Sequence, residues 1–210
     1  MKIKPFQLGA FGTNSYVIYD TDECYVVDAP DGMERLVKFV RDNRIKLCGV
    51  LLTHAHFDHI AGLPELLEAF PGLSIHVSAE DLCLVKDGYK RTLEQINYCY
   101  PPYLRFFPVN RMPEAEAYSV YGEEKAGFRV IKTPGHTPGS VSLYSEIEGL
   151  LFSGDTLFKG SIGRSDLGGS QQQLAASLRL LAGLPDDTFV CPGHGQFTTI
   201  GEEKKQNPFL

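Results

Sequence analysis

The stretch Thr53-His54-Ala55-His56-Phe57-Asp58-His59-Ile60-Ala61-Gly62 carries three imidazoles and a carboxylate within six consecutive positions, His54 to His59. The chain has only six histidines, and half of them stand here. Imidazole and carboxylate are ligands that zinc, iron and manganese accept at neutral pH, and a packing core avoids such a density of polar groups. A tag would be terminal and monotonous, whereas this run is internal and interleaved with Ala55 and Phe57. His76 reads differently. It alternates with Ile75 and Val77 without polar company, as a hydrogen-bonded structural histidine does.

Two more histidines and an aspartate stand in comparable settings. His136 lies in Thr133-Pro134-Gly135-His136-Thr137-Pro138-Gly139, His194 in Cys191-Pro192-Gly193-His194-Gly195, and Asp155 in Ser153-Gly154-Asp155-Thr156. Each follows an apolar run that reads as a strand, and the two histidines sit in Gly/Pro loops whose backbone geometry is tightly set. Four strand ends therefore each deliver polar, metal-competent side chains. Packing alone does not produce that coincidence.

The elements that would hold these ends can be read from the apolar pattern. Strands are expected at Asn14–Tyr19 and Cys24–Asp28 around a polar turn, and at Leu47–Leu52 and Ser74–Ser78. Helical spacing covers Met33–Asn43 and Leu63–Phe70, and Ala79 opens another helix. Further strands are expected at Phe128–Thr133, Ser140–Tyr144, Leu150–Ser153 and Thr188–Cys191, with a helix at Gln171–Leu181. Thr199 to Lys205 reads as a capped helix start with acids first and bases later, and receives no catalytic role. Strands followed by helices in both halves suggest an α/β chain of two packed sheets with helices outside. No Ser- or Gly-rich linker interrupts it, so residues 1–210 are expected to form a single domain.

Bulk composition narrows the function. The chain has 210 residues, 43% of them hydrophobic, and a formal net charge of -6. It lacks the clustered Lys and Arg that nucleic acid requires, so no nucleic-acid partner is expected. No apolar run approaches a membrane span or follows the N-terminus as a secretory signal would, so no membrane partner is expected either. The cysteines Cys24, Cys48, Cys83, Cys99 and Cys191 are odd in number, far apart and without Cys-x-x-Cys, which suggests a reducing, cytoplasmic setting.

The motifs Thr-His-x-His-x-Asp-His-x-x-Gly, Pro-Gly-His-Thr-Pro-Gly, Gly-Asp-Thr-Leu-Phe and Pro-Gly-His-Gly occur in that order. With them the chain resembles the metallo-β-lactamase superfamily, and within it the single-domain glyoxalase II-like hydrolases. The resemblance runs from Asn14 to Asn207-Pro208-Phe209 and implies a four-layer αββα sandwich with a two-metal site at one edge. Carried over by position, it implies that His54, His56 and His136 hold one metal, that Asp58, His59 and His194 hold the second, and that Asp155 bridges both. Asp28 resembles an aspartate that orients a ligand histidine; as a residue at a strand end it reads equally well as a turn aspartate. Zinc is the first expectation for both ions, with iron and manganese as alternatives.

The chemistry so implied is hydrolysis of a thioester or related ester by a metal-bridging hydroxide, with Asp58 as the catalytic carboxylate. No Ser or Cys nucleophile is then needed, and no Gly-x-Ser-x-Gly elbow occurs. Asp155 stands where zinc β-lactamases often place a cysteine, which argues against antibiotic hydrolysis. Arg164 matches a basic position that meets glutathione in the family; the alternative is a surface arginine paired with Asp166. The helical domain that completes the glutathione site in glyoxalase II is not expected here, and the tyrosine that follows the basic residue in the family is replaced by Ser165-Asp166-Leu167-Gly168-Gly169. A smaller thioester or ester is therefore the expected small-molecule partner.

The aromatic-rich stretch at about 81–121, with Tyr89, Tyr98, Tyr100, Tyr103, Phe106 and Phe107 around Pro101-Pro102, reads as a packed hairpin or dimer contact, or else as a cleft wall. A homo-oligomer is compatible with that. Competing functions on the same scaffold are a persulfide dioxygenase-like mononuclear iron enzyme and a lactonase or phosphodiesterase. A non-catalytic metal-binding module is the alternative of a different class.

Overall fold

Thr13 to Tyr19 and Glu23 to Val27 are rich in β-branched and aromatic residues, and a turn closed by Asp20 N–H donating to the Glu23 carbonyl joins them. They form the antiparallel strands β2 (Thr13–Tyr19) and β3 (Glu23–Val27) of a computed structural model that describes residues 1–86, 112–118 and 124–210. The described residues divide into two units, Met1–Ala117 and Tyr118–Leu210. The aromatic-rich stretch from Tyr89 to Phe107 lies outside the described residues.

The first unit holds a six-stranded sheet whose spatial order follows the sequence: β1 (Lys2–Leu8), β2, β3, β4 (Lys46–Leu51), β5 (Ser74–Val77) and β6 (Glu116–Ala117). Pairing is antiparallel from β1 to β3 and parallel from β3 to β6. Helix α1 (Glu34–Asp42) connects β3 to β4. Between β4 and β5 lie the short α2 (Phe57–Ile60) and α3 (Leu63–Ala69), and after β5 come a 3-10 turn at Ala79–Asp81 and α4 (Leu82–Lys86). Val26, Val50, Ile75 and Val77 of the sheet share one apolar core with Leu36 and Val40 of α1 and Leu63 and Leu66 of α3. Burying each such side chain contributes about 1.5–3 kcal/mol. A one-residue slip of β4 would turn that set to the other face, so the core also fixes where each strand ends.

That matters because β3, β4 and β5 run parallel and finish on one edge. Val27 pairs with Leu51, and Leu51 with His76. Asp28, the histidine run and Ser78-to-Asp81 therefore emerge side by side, at the carboxyl ends where open α/β sheets place their ligands.

The second unit repeats the device. Its sheet has the order β14 (Thr198–Thr199), β13 (Phe189–Pro192), β10 (Leu150–Gly154), β9 (Val141–Ser145), β8 (Phe128–Lys132), β7 (Glu124–Lys125). β8 and β10 are each antiparallel to β9, and β13 is parallel to β10. So β8, β10 and β13 end on the same edge, and they lead into His136, Asp155 and His194. A hairpin of β11 (Leu157–Phe158) and β12 (Ser161–Ile162) follows Asp155. Helices α5 (Gln171–Ala182) and α6 (Ile200–Gln206) complete the unit, and α5 packs Leu174, Leu178 and Leu181 against Leu151 and Val190.

Every strand and helix anticipated from the apolar pattern is present within a residue or two. β1 was not anticipated: it is the sheet edge, largely exposed, with Pro5 in its middle, and so shows neither apolar run nor clean alternation. Ala79 opens a 3-10 turn before the helix, capped by Ser78 Oγ accepting from Asp81 N–H at 3.2 Å. Among the described residues no helix is long and apolar enough to cross a membrane.

Candidate metal centre

In the first unit the site is built on Asp28, one residue past β3. Its φ is 57°, in the left-handed region that few residues but Asn, Asp and Gly adopt readily. One carboxylate oxygen accepts the Thr53 backbone N–H at 2.8 Å; the other accepts the Thr53 hydroxyl at 2.7 Å and faces His59 Nδ1 at 2.8 Å. So the turn-aspartate reading is insufficient: Asp28 holds a candidate ligand directly. His54, His56 and His59 are all buried, and the His54 ring centroid lies 4.1 Å from that of His59 and 4.9 Å from that of His56.

Two further residues, unremarked in the sequence, hold this run. Asp81 is fully buried and accepts the Ala55 N–H at 3.1 Å, between His54 and His56. Thr13, at the start of β2, donates to Asp58 Oδ2 at 3.2 Å. Gly62 closes the motif because a Cβ there would strike the Pro30 carbonyl. Its N–H donates to the Ala29 carbonyl, and the Ala29 N–H to that of His59, both at 2.8 Å. Asp81 left a faint signal, an acid beside a capping serine. Thr13 left none.

In the second unit Asp155 Oδ2 stands 3.5 Å from His136 Nε2 and 3.4 Å from His194 Nε2. His136 Nδ1 lies 2.6 Å from the Arg164 carbonyl oxygen. Gly163 makes that approach feasible, since a Cβ there would collide with the Asp155 carbonyl and crowd His136 Nδ1. The Arg164 side chain is engaged elsewhere: its Nε and NH2 donate to Asp166 at 2.6 and 2.7 Å. This guanidinium holds the exposed Asp166 carboxyl down at about 2. His76 is nearly buried, with Nδ1 4.0 Å from Glu116 Oε2.

The donor set fits divalent metal ions. A carboxylate or carbonyl only accepts, so Asp28 and the Arg164 carbonyl each require the proton on the Nδ1 they face. That leaves Nε2 of His59 and of His136 as lone-pair donors when these rings are neutral, the form in which histidine ligates. Each of those Nε2 atoms then faces a carboxylate oxygen: His59 Nε2 is 3.7 Å from Asp58 Oδ2, and His136 Nε2 is 3.5 Å from Asp155 Oδ2. Lone pair against carboxylate is repulsive, and a cation between them relieves that repulsion. Two ligands at about 2.0–2.1 Å from one tetrahedral zinc stand roughly 3.3–3.4 Å apart, close to the separations around Asp155.

Comparison with known proteins agrees. The family model described as the metallo-β-lactamase superfamily matches residues 8–194. The hydroxyacylglutathione hydrolase GloC of Haemophilus influenzae is 34% identical, over 100% of this chain and 98% of its own. Among solved structures, TTHA1623 in a di-iron-bound form is 35% identical with a TM-score of 0.85, covering 99% of this chain and 100% of that one. The BLEG-1 B3 metallo-β-lactamase is 34% identical with a TM-score of 0.87, covering 100% and 99%. The fold expected from the motifs is the fold of these relatives. These relatives do not support excluding antibiotic hydrolysis on the strength of Asp155, because the BLEG-1 structure bears a lactamase name.

Proposed function

The chain belongs to the metallo-β-lactamase superfamily, and from that premise we propose that it is a dinuclear metallohydrolase cleaving a thioester or related ester of a small acyl group. His54, His56 and His136 would hold one metal, Asp58, His59 and His194 the other, and Asp155 would contribute to both. One observation carries the reading: histidines whose Nδ1 protons are committed to acceptors turn Nε2 toward ligand carboxylates 3.5–3.7 Å away. The similarity to a hydroxyacylglutathione hydrolase over nearly its whole length supports the thioester class.

Two divalent ions held in such a donor set would supply hydroxide near neutral pH and would balance the charge of a leaving thiolate. The chain's own groups do the rest. Asp58 accepts a hydrogen bond from the attacking water and orients its lone pair toward the carbonyl carbon, while the Thr13 hydroxyl fixes the carboxylate that does so. Buried Asp28 and Asp81 keep the ligand loop from reorganising as charge develops, the condition under which fixed dipoles stabilise a transition state. Arg164, more than half exposed, can exchange Asp166 for a substrate carboxylate.

Metal-loaded protein should be assayed against S-lactoylglutathione, simple acyl thioesters, a lactone and a chromogenic cephalosporin. Thioester turnover well above the others is expected. Preference for the lactone or the cephalosporin would replace the thioester assignment.

A further inference from the structure

We infer that Thr53 is a positioning residue that relays Asp28 to His54, so that one buried carboxylate sets the tautomer of a ligand histidine in each metal set. The inference rests on the dinuclear reading only for which metal each histidine serves.

A threonine hydroxyl has one proton to donate, and Thr53 Oγ1 donates it to Asp28 Oδ2 at 2.7 Å. The same oxygen lies 3.1 Å from His54 Nδ1. With its proton committed, the hydroxyl can only accept there, so His54 carries its proton on Nδ1 and a lone pair on Nε2. Asp28 Oδ2 also faces His59 Nδ1 at 2.8 Å and imposes the same tautomer directly. Both histidines thus present Nε2, one through the relay and one without it.

The geometry around Thr53 leaves the hydroxyl little choice. Its backbone N–H donates to Asp28 Oδ1 at 2.8 Å, so one carboxylate grips the residue by main chain and side chain together. Threonine is stiff about χ1, which holds the hydroxyl in that grip. Thr53, His54 and Asp28 are each 1% exposed and His59 is fully buried, so bulk water does not compete for these groups. Asp28 itself is anchored: its N–H donates to the Leu51 carbonyl at 3.1 Å, and its carbonyl accepts the Ser15 hydroxyl at 2.7 Å.

The test reads tautomers in metal-free, full-length protein, by long-range proton–nitrogen correlation spectra of histidine-labelled samples in mildly alkaline buffer. Wild type should show His54 and His59 protonated on Nδ1. Thr53→Val should move His54 away from that form and leave His59 in it; Thr53→Ser should restore the wild-type pattern. In zinc titrations Thr53→Val should weaken one equivalent by roughly 10–100-fold, the usual cost of losing an outer hydrogen bond, whereas Asp28→Asn should weaken both. An Nε2-protonated His54 in the wild type, or a Thr53→Val protein with unchanged His54, overturns the relay. If Thr53→Val does not fold, the wild-type and Thr53→Ser spectra still decide. A protein that binds one metal or cleaves no thioester contradicts the proposed function but leaves the tautomer result standing.

Discussion

His136 Nδ1 lies 2.6 Å from the carbonyl oxygen of Arg164, so the residue expected to meet substrate through its side chain meets a candidate ligand histidine through its backbone. Side chain and main chain therefore make separable predictions. Arg164→Ala should leave metal content unchanged and raise KM for carboxylate-bearing thioesters more than for neutral ones. Gly163→Ala, which drives a methyl into the Asp155 carbonyl, should lose metal and activity together. Metal analysis beside steady-state kinetics on the two variants checks both.

Asp58 and Thr13 give a graded pair. Asp58→Ala should abolish turnover. Thr13→Val removes only the 3.2 Å hydrogen bond to Asp58 Oδ2, and a hydrogen bond to a charged group is worth about 1.5–3 kcal/mol, so kcat should fall roughly 10- to 150-fold. Near-normal kcat in Asp58→Ala with both metals retained would sink its catalytic assignment.

The C-terminal helix contributes stability through Glu203, which is 2% exposed. Glu203 accepts the Thr198 hydroxyl at 2.6 Å, the Gly160 N–H at 2.8 Å and Asn207 Nδ2 at 2.7 Å, tying α6 to the β11–β12 hairpin. Glu203→Ala strands the Gly160 N–H at about 1–3 kcal/mol and leaves Thr198 and Asn207 only their longer bonds to Glu202 and to the Phe158 and Ser161 carbonyls. A net loss of about 3 kcal/mol would lower Tm by roughly 6–12 °C. Glu203→Gln keeps an acceptor and should lose less, as calorimetry would register.

Burial pushes the Cys24 and Cys191 thiols up to about 12. The folded protein therefore retains protons that the unfolded chain gives up above the ordinary thiol pKa of 9.0. Stability due to these thiols is complete below that pH and falls as pH rises toward 12, by up to about 1.4 kcal/mol per unit for each thiol. Replacing both with alanine should flatten the decline of Tm between pH 9 and 11. Alkylation at pH 8 should mark exposed Cys83 well before either of them.

Much of this was legible because the chemistry and the core share a period. Val50-Leu51-Leu52 reads as a buried strand, and candidate ligands follow within a few residues of its end; the same holds at His136, Asp155 and His194. What escaped was long in sequence and short in space. Thr13 reaches Asp58 across 45 positions, and Glu203 reaches Gly160 across 43. Neither is marked by local pattern, since a threonine in a strand and a glutamate in a first helical turn need no special reason. Arg164 escaped in another way: a side-chain motif gives no hint that the backbone carbonyl is the group in use.

The proposed chemistry requires two metals acting together in one hydrolytic site. Stepwise zinc or iron reconstitution of metal-free protein, with elemental analysis and thioester turnover followed in the same samples, tests it most directly. Two ions per chain are predicted, with turnover rising steeply only as the second is taken up. Full activity at one ion per chain, or one iron accompanied by oxygen uptake, would contradict it.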